Sequence, residues 1–221
     1  MVNRNGLIIP FLMAAFYSSM VGSPCMASVT IGGMRFDSAV VNDNASQATP
    51  ANYSCTQSGG AITLSGQQPR TTANVTYFYN HASHGDERKF MVGINISSLS
   101  DTNSLAGIMY YSGPFVSSVS EQCWCRIGIT RNRRVYMESH NLCDPPQKIL
   151  LCTLSVAVTT AYIMAKIEHG DLNYYLSKTP VISDSALRIG WPMYFSYEHS
   201  FGFFLEPHVT TGYERAVFNS V

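Results

Sequence analysis

Polar and apolar residues alternate along much of this chain, and the period is two. From Lys89 to Ser97, Phe90, Val92, Ile94 and Ile96 fall on one side and Met91, Gly93 and Asn95 on the other. Val75, Tyr77 and Tyr79 alternate with Thr76 and Phe78. Cys123, Cys125, Ile127 and Ile129 oppose Trp124, Arg126, Gly128 and Thr130. Successive side chains of a strand point to opposite faces, so this period predicts strands with one face buried. Asn42–Gly60 and Ser97–Leu105 are polar and rich in turn formers, and read as connectors. Helical spacing is scarce. The predicted fold is mainly β: a disulfide-supported antiparallel sandwich or partly open barrel with few helical turns.

Ile149–Ala165 tests this reading. It is apolar, flanked by Lys148 and Lys166, and about 17 residues long, at the lower edge of what spans a bilayer as a helix. Basic residues crowd its upstream side (Arg126, Arg131, Arg133, Arg134, Lys148), which the positive-inside rule would hold in the cytoplasm. Its own pattern fits strands better. Cys152, Leu154, Val156 and Val158 alternate with Thr153, Ser155, Ala157 and Thr159, the frame slips near Thr159-Thr160, and Ile163, Ala165 and Ile167 resume it. Such a slip marks a bulge or a bend between strands. Two buried strands are the expectation, and a membrane span near 149–165 is the alternative. Aromatic segments follow at Trp191–Tyr197 and Phe201–Phe204, with Pro180, Pro192 and Pro207 interrupting any long central strand. A transmembrane barrel needs at least about eight strands of roughly ten residues each, and too few segments here approach that.

The N-terminus has a different character. Arg4 precedes an apolar run from Leu7 to Phe16, a polar stretch from Tyr17 to Pro24, and Cys25-Met26-Ala27 with its small ends. This three-part order is that of a secretory signal, with cleavage after Ala27. The expected organisation is 1–27 signal peptide, 28–60 polar N-terminal arm, and 61–221 a single β-rich domain. Export places the mature chain in the periplasm or outside the cell, where disulfides persist.

Composition narrows the function classes. The 221 residues carry 14 Lys+Arg against 14 Asp+Glu, and 13% are charged while 46% are apolar. Disordered chains are poorer in apolar residues and richer in charge. Nucleic-acid binding needs a concentrated basic surface, and Arg131, Arg133 and Arg134 are too few to supply it. No nucleic-acid partner is expected. Removing residues 1–27 takes Arg4, leaving 13 basic against 14 acidic residues, so the balance belongs to the mature chain as well.

The same cleavage removes Cys25 and leaves Cys55, Cys123, Cys125, Cys143 and Cys152 as disulfide candidates. Cys123 and Cys125 share a strand face and are poorly placed to bond each other, so separate partners are expected. A bond from either to Cys143 would close a loop of about 20 residues, worth about 3 kcal/mol by loop entropy. The odd count leaves one thiol over, as a buried hydrophobe or as a link to a second chain in a disulfide-linked dimer.

Catalytic and metal signals are weak. His81, His84 and Asp86 could contribute metal ligands, but no second ligand pair follows at zinc-like spacing. A solvated loop between strands is the expectation there. No Gly-x-Ser-x-Gly elbow, phosphate loop or His-Glu-x-x-His is present, and no cofactor is expected. Asn44, Asn52, Asn74 and Asn95 each open an Asn-x-Ser/Thr sequon, which matters only in a eukaryotic or viral secretory pathway. Tyr77, Phe78, Tyr79, Tyr110, Tyr111 and Tyr194 are the aromatic candidates for partner binding, because aromatics anchor interfaces.

Gln122-Cys-Trp-Cys-Arg126, the aromatic stretch Trp191–Ser200 and the ending Glu214-Arg-Ala-Val-Phe-Asn-Ser-Val221 resemble a group of uncharacterised exported bacterial proteins. Those proteins carry further cysteines near their C-termini, whereas this chain has none after Cys152. The resemblance implies export and a bacterial source, in which the sequons carry no glycan, and it implies no activity. The functional expectation is an exported periplasmic or secreted binding or interaction protein, with a protein or small ligand as partner. A single-pass membrane glycoprotein and a small secreted hydrolase are the alternatives.

Overall fold

The structure, a computed structural model, describes residues 29–31, 34–36, 38–43, 53–67, 75–84, 89–112, 124–141, 144–168, 171–182, 187–192, 198–209 and 211–221. These form a β-sandwich. A small hairpin, β1 (Val29–Ile31) and β2 (Met34–Phe36), forms a two-stranded sheet of its own beside the two main sheets. Sheet I contains β3 (Ser38–Asp43), β6 (Val75–His84), β8 (Leu105–Ser112), β9 (Trp124–Ile129), β10 (Arg134–Asn141), β11 (Asp144–Thr153) and β15 (Glu198–Glu206). Sheet II contains β4 (Tyr53–Ser58), β5 (Ala61–Gly66), β7 (Lys89–Asn95), β12 (Thr160–Glu168), β13 (Asp171–Ser177), β14 (Leu187–Pro192) and β16 (Glu214–Asn219). The strand orders are β11-β10-β9-β8-β15-β6-β3 and β14-β13-β12-β7-β16-β5-β4, with antiparallel pairing throughout. Neither sheet closes into a barrel. A single 3-10 turn at Ile96–Ser98 is the one helical element among the described residues, with Asn95 as its N-cap.

The period-two pattern builds the core. Phe90, Val92 and Ile94 of β7, and Ala161, Ile163, Ala165 and Ile167 of β12, face Ala106, Ile108 and Tyr110 of β8 and Cys125, Ile127 and Ile129 of β9. All are buried. Phe203 and Phe218 meet across the sandwich with ring centroids 5.1 Å apart at 50°, a tilted aromatic contact. Tyr174 brings a hydroxyl into this layer and donates it to the Cys125 carbonyl at 2.6 Å, which satisfies both buried groups.

Turn chemistry fixes the registers. Gly59 and Gly60 have φ of 58° and 79°, and join β4 to β5 in a two-residue hairpin loop that demands left-handed backbone at both positions. The β9–β10 hairpin turns at Thr130–Arg134, where the Arg133 amide donates to the Thr130 carbonyl and Arg133 sits at φ 65°. Elsewhere a buried carboxylate organises a loop. Glu214 accepts the Ser100 amide at 2.6 Å and the Asp101 amide at 2.9 Å, which pins the connection from β7 to β8 against β16.

The segment 149–165 is two strands of different sheets, β11 and β12, joined by a turn at 154–159. This corrects the membrane-span alternative. Among the described residues no helix is long and apolar enough to cross a membrane. The frame slip near Thr159-Thr160 is the point where the chain enters sheet II. β12 is buried on alternate residues, while β11 is the outer strand of its sheet and exposes Ile149 and Leu150. Two further readings change. Asn42–Gly60 is not wholly connector, because it includes β4 and the end of β3. His81 and His84 belong to strand β6 rather than to a loop.

Candidate functional site

A sandwich has two kinds of sheet face, and the inner ones are consumed by the core. The outer face of sheet I is different, because its residues are charged and aromatic yet largely buried. Cross-strand register places Gly202, Met109, Arg126, Glu138 and Lys148 in one row across β15, β8, β9, β10 and β11. The next outward-facing row holds Phe204, Gly107, Gly128 and Tyr136. Leu105, Met109 and Phe204 form a small apolar cluster on this face, with Trp124 and Tyr136 packed against it.

Two glycines make room for the cluster. A Cβ on Gly107 would lie 1.9 Å from the Ile127 carbonyl oxygen and 2.6 Å from the Gly128 Cα, so β8 and β9 approach too closely here for any side chain. A Cβ on Gly128 would meet the Leu105 Cγ at 2.7 Å and the Phe204 Cζ at 3.0 Å, so these side chains fill the space over it.

Arg126 is the hub. Its Nε donates to Glu138 Oε2 at 2.5 Å, and its Nη2 pairs with both Glu138 Oε2 and Glu206 Oε2. Its guanidinium carbon lies 4.7 Å from the Phe204 ring centroid and 5.3 Å from that of Trp124. Planar, weakly hydrated guanidinium suits such a buried bidentate and stacked position better than an ammonium would. Lys148 Nζ pairs with Glu138 Oε1 at 2.6 Å and lies 4.9 Å from the Tyr136 ring centroid. His208 Nε2 lies 3.1 Å from Glu206 Oε1. Arg126 and Lys148 thus balance Glu138 and Glu206.

The ionisation states follow from this geometry. Burial alone would favour a neutral Glu206, but the charge of Arg126, helped by the His208 hydrogen bond and by Lys148, outweighs it and lowers its pKa to about 2. Burial opposes the charge of Arg126 as well, and the attraction of Glu206 and Glu138 more than restores it, so its pKa is raised. Glu206 therefore stays a carboxylate across the physiological range. It has no proton to donate, and both its oxygens are engaged.

The candidates read from sequence fall differently. Tyr110 is buried between the sheets and is unavailable to a partner without unfolding. Tyr77, Phe78 and Tyr79 lie on β6 and Tyr111 on β8, with side chains outside the described residues. Tyr194, Asp86, Cys123 and Cys143 also lie outside the described residues, and the side chains of His81 and His84 do too. No group of three metal-ligating side chains occurs among the described residues.

Cys125 and Cys152 are thiols, with Cys125 buried, so the structure does not support the disulfides expected of them, and Cys55 is buried as well. Cys125 serves instead as a core hydrophobe beneath Tyr174, and burial pushes its pKa well above the usual thiol range against a smaller opposing hydrogen bond from Tyr174. Burial also raises the Cys152 thiol, partly offset by Lys178.

The sequence reading placed Trp124 and Arg126 on the non-core side of their strand and went no further. A usable signal was present. Glu138 mirrors Arg126 about the polar turn at 131–133, so folding the hairpin pairs them, as the register shows. Glu206 and His208 carry no comparable local signal.

No protein-family model matches the chain, and no curated protein matches its sequence. Solved structures do share its fold. A functionally unknown protein from Saccharomyces cerevisiae superposes with a TM-score of 0.53 at 13% identity, over 75% of this chain and 87% of that one. A glycoside hydrolase family 16 endo-glucanase from Bacteroides ovatus gives 0.53 at 9% identity, over 81% and 92%. A further glycosidic hydrolase gives 0.52 at 12%, over 82% and 87%. At these identities the likeness concerns the arrangement of the two sheets.

Proposed function

We propose that this protein is an exported binding protein of the β-sandwich class, that its ligand is a carbohydrate, and that the ligand lies on the outer face of sheet I across Trp124 and Tyr136. The observation that carries the reading is the pair of half-buried rings on one apolar cluster, bordered by Lys148 and His208. A sugar offers C–H faces that pack on aromatic rings and hydroxyls that hydrogen-bond to polar neighbours. Ligand sites combine such apolar contact with a few placed polar groups. The same sandwich serves carbohydrate-active proteins among the structures it resembles. Export is supported by the signal-like order of residues 1–27.

Binding is better supported than hydrolysis. Glycoside hydrolysis by two carboxyl groups needs one of them protonated at working pH. Glu206 is held ionised, and Glu138 is bound to Arg126 and Lys148, so this pair is arranged for structure rather than for acid–base exchange.

Titration calorimetry of the mature protein against a panel of soluble polysaccharides tests the reading. At least one saccharide binds, and Trp124→Ala weakens it about two- to tenfold, given the roughly 0.5–1.5 kcal/mol that such an aromatic contact carries. Binding to no saccharide, or an unchanged affinity in a folded Trp124→Ala variant, overturns it.

A further inference from the structure

The charges on the outer face of sheet I are sorted by depth. Both carboxylates lie underneath, with side chains 8% exposed for Glu138 and 1% for Glu206. The Arg126 guanidinium between them is 7% exposed. Among the described charged groups, what reaches solvent is Lys148, 46% exposed, the edge of His208, 27% exposed, and Arg134 at the start of β10. The described part of this face presents cations to a ligand and conceals the acids Glu138 and Glu206.

We propose that the saccharide this face takes is anionic, carrying carboxylate or sulfate groups, and that Lys148 recognises the anion. The inference rests on the reading that this face binds carbohydrate. An ammonium has three donors, and one is directed to Glu138 Oε1 at 2.6 Å on a side chain that is half exposed. A sugar hydroxyl could accept from it, but an anionic oxygen forms a hydrogen bond about twice as strong. The position is also prepared. Glu138 holds the ammonium over the Tyr136 ring, 4.9 Å from its centre, so a sugar packed against the edge of that ring sets its substituents beside the charge. Fixing a long side chain before the ligand arrives removes part of the ordering cost of binding. With its acids buried, the described face offers an approaching anion no exposed carboxylate. The whole chain has formal net charge +0, so general attraction to polyanions is weak and a preference for them must be local.

The test compares polygalacturonate, a sulfated galactan and a neutral mixed-linkage glucan by titration calorimetry. One of the two charged polymers binds at least about tenfold more tightly than the neutral one, and raising the salt weakens it. Which charged polymer binds distinguishes carboxylate from sulfate. Lys148→Met lowers that affinity at least about tenfold, and Lys148→Arg recovers most of it. Lys148 is on the outer strand with its side chain half exposed, and circular dichroism confirms that each variant is folded. Equal binding of the neutral glucan, or no loss in Lys148→Met, overturns this inference and leaves the carbohydrate reading in place. Binding to none of the three polymers, nor to any other saccharide of the panel, overturns both.

Discussion

Replacing Arg126 by Met removes the charge at the centre of the buried cluster and leaves a stem of similar bulk between Trp124 and Phe204. Glu138 and Glu206 then remain buried with Lys148 and His208 as their cationic or polar neighbours. Leaving a buried charge without its partner costs about 3–5 kcal/mol. That is a large share of the roughly 5–15 kcal/mol that keeps a domain folded. The pH dependence identifies the cause. In the wild type, Glu206 titrates at about 2 against an ordinary 4.5, which corresponds to on the order of 3 kcal/mol of stability. Its folded pKa is lowered, so that stability is fully present above 4.5 and is lost as pH falls toward 2. Without Arg126, burial becomes the dominant influence and raises the Glu206 pKa, so its contribution changes sign. Stability of the variant then falls as pH rises through and above 4.5. Urea unfolding followed by tryptophan fluorescence at pH 3, 5 and 7 measures both slopes, and Trp124, 5.3 Å from the guanidinium, is a local reporter. The variant should trail the wild type most at pH 7 and least at pH 3, and adding Glu206→Gln should recover part of the loss. A variant within about 1 kcal/mol of wild type at pH 7, or a deficit equal at pH 3 and pH 7, would refute the electrostatic account.

Two further outcomes follow from packing and burial. Gly107→Ala should destabilise by more than about 3 kcal/mol, because its Cβ would strike backbone, whereas Gly128→Ala should cost about 1–2 kcal/mol, because the Leu105 and Phe204 side chains can yield; equal melting temperatures for the two variants would contradict this. In native protein at pH 8, iodoacetamide should modify Cys152 before Cys125, since Cys125 is fully buried and Cys152 is partly open, and the two should react alike only after unfolding; peptide mapping that finds Cys125 modified as fast as Cys152, or oxidised in a disulfide, would contradict the thiol assignment.

Much of the fold was legible because strand geometry is local. The alternation at Phe90–Ile96 and Cys125–Ile129 marked the core faces of β7 and β9, and both face inward as read. The slip at Thr159-Thr160 marked the passage from one sheet to the other. Other elements were missed for an equally local reason. β4 is an outer strand in which serine, threonine and glutamine follow Tyr53, and among its described side chains only Cys55 is buried, so its alternation carries little hydrophobic contrast. β6 runs on through His81 to His84, where polar residues imitate a loop, because its pairing with β15, which reaches His84, decides its length.

The candidate site divides along the same line. The chain alone determined which residues lie on the outer side of β9, since the alternation of side chains leaves no choice once the core side is known. It nearly determined the Arg126–Glu138 pair, since a hairpin brings its own two strands into register. It could not determine Glu206, which is 80 residues from Arg126 and meets it through the pairing of β15 with β8. Nor could it determine that Cys125 packs in the core as a thiol, which depends on what its sulfur faces after the sheets close. Local pattern sets which face a side chain takes. The order of strands within a sheet sets what it meets there, and that order emerges only from the whole chain packing at once.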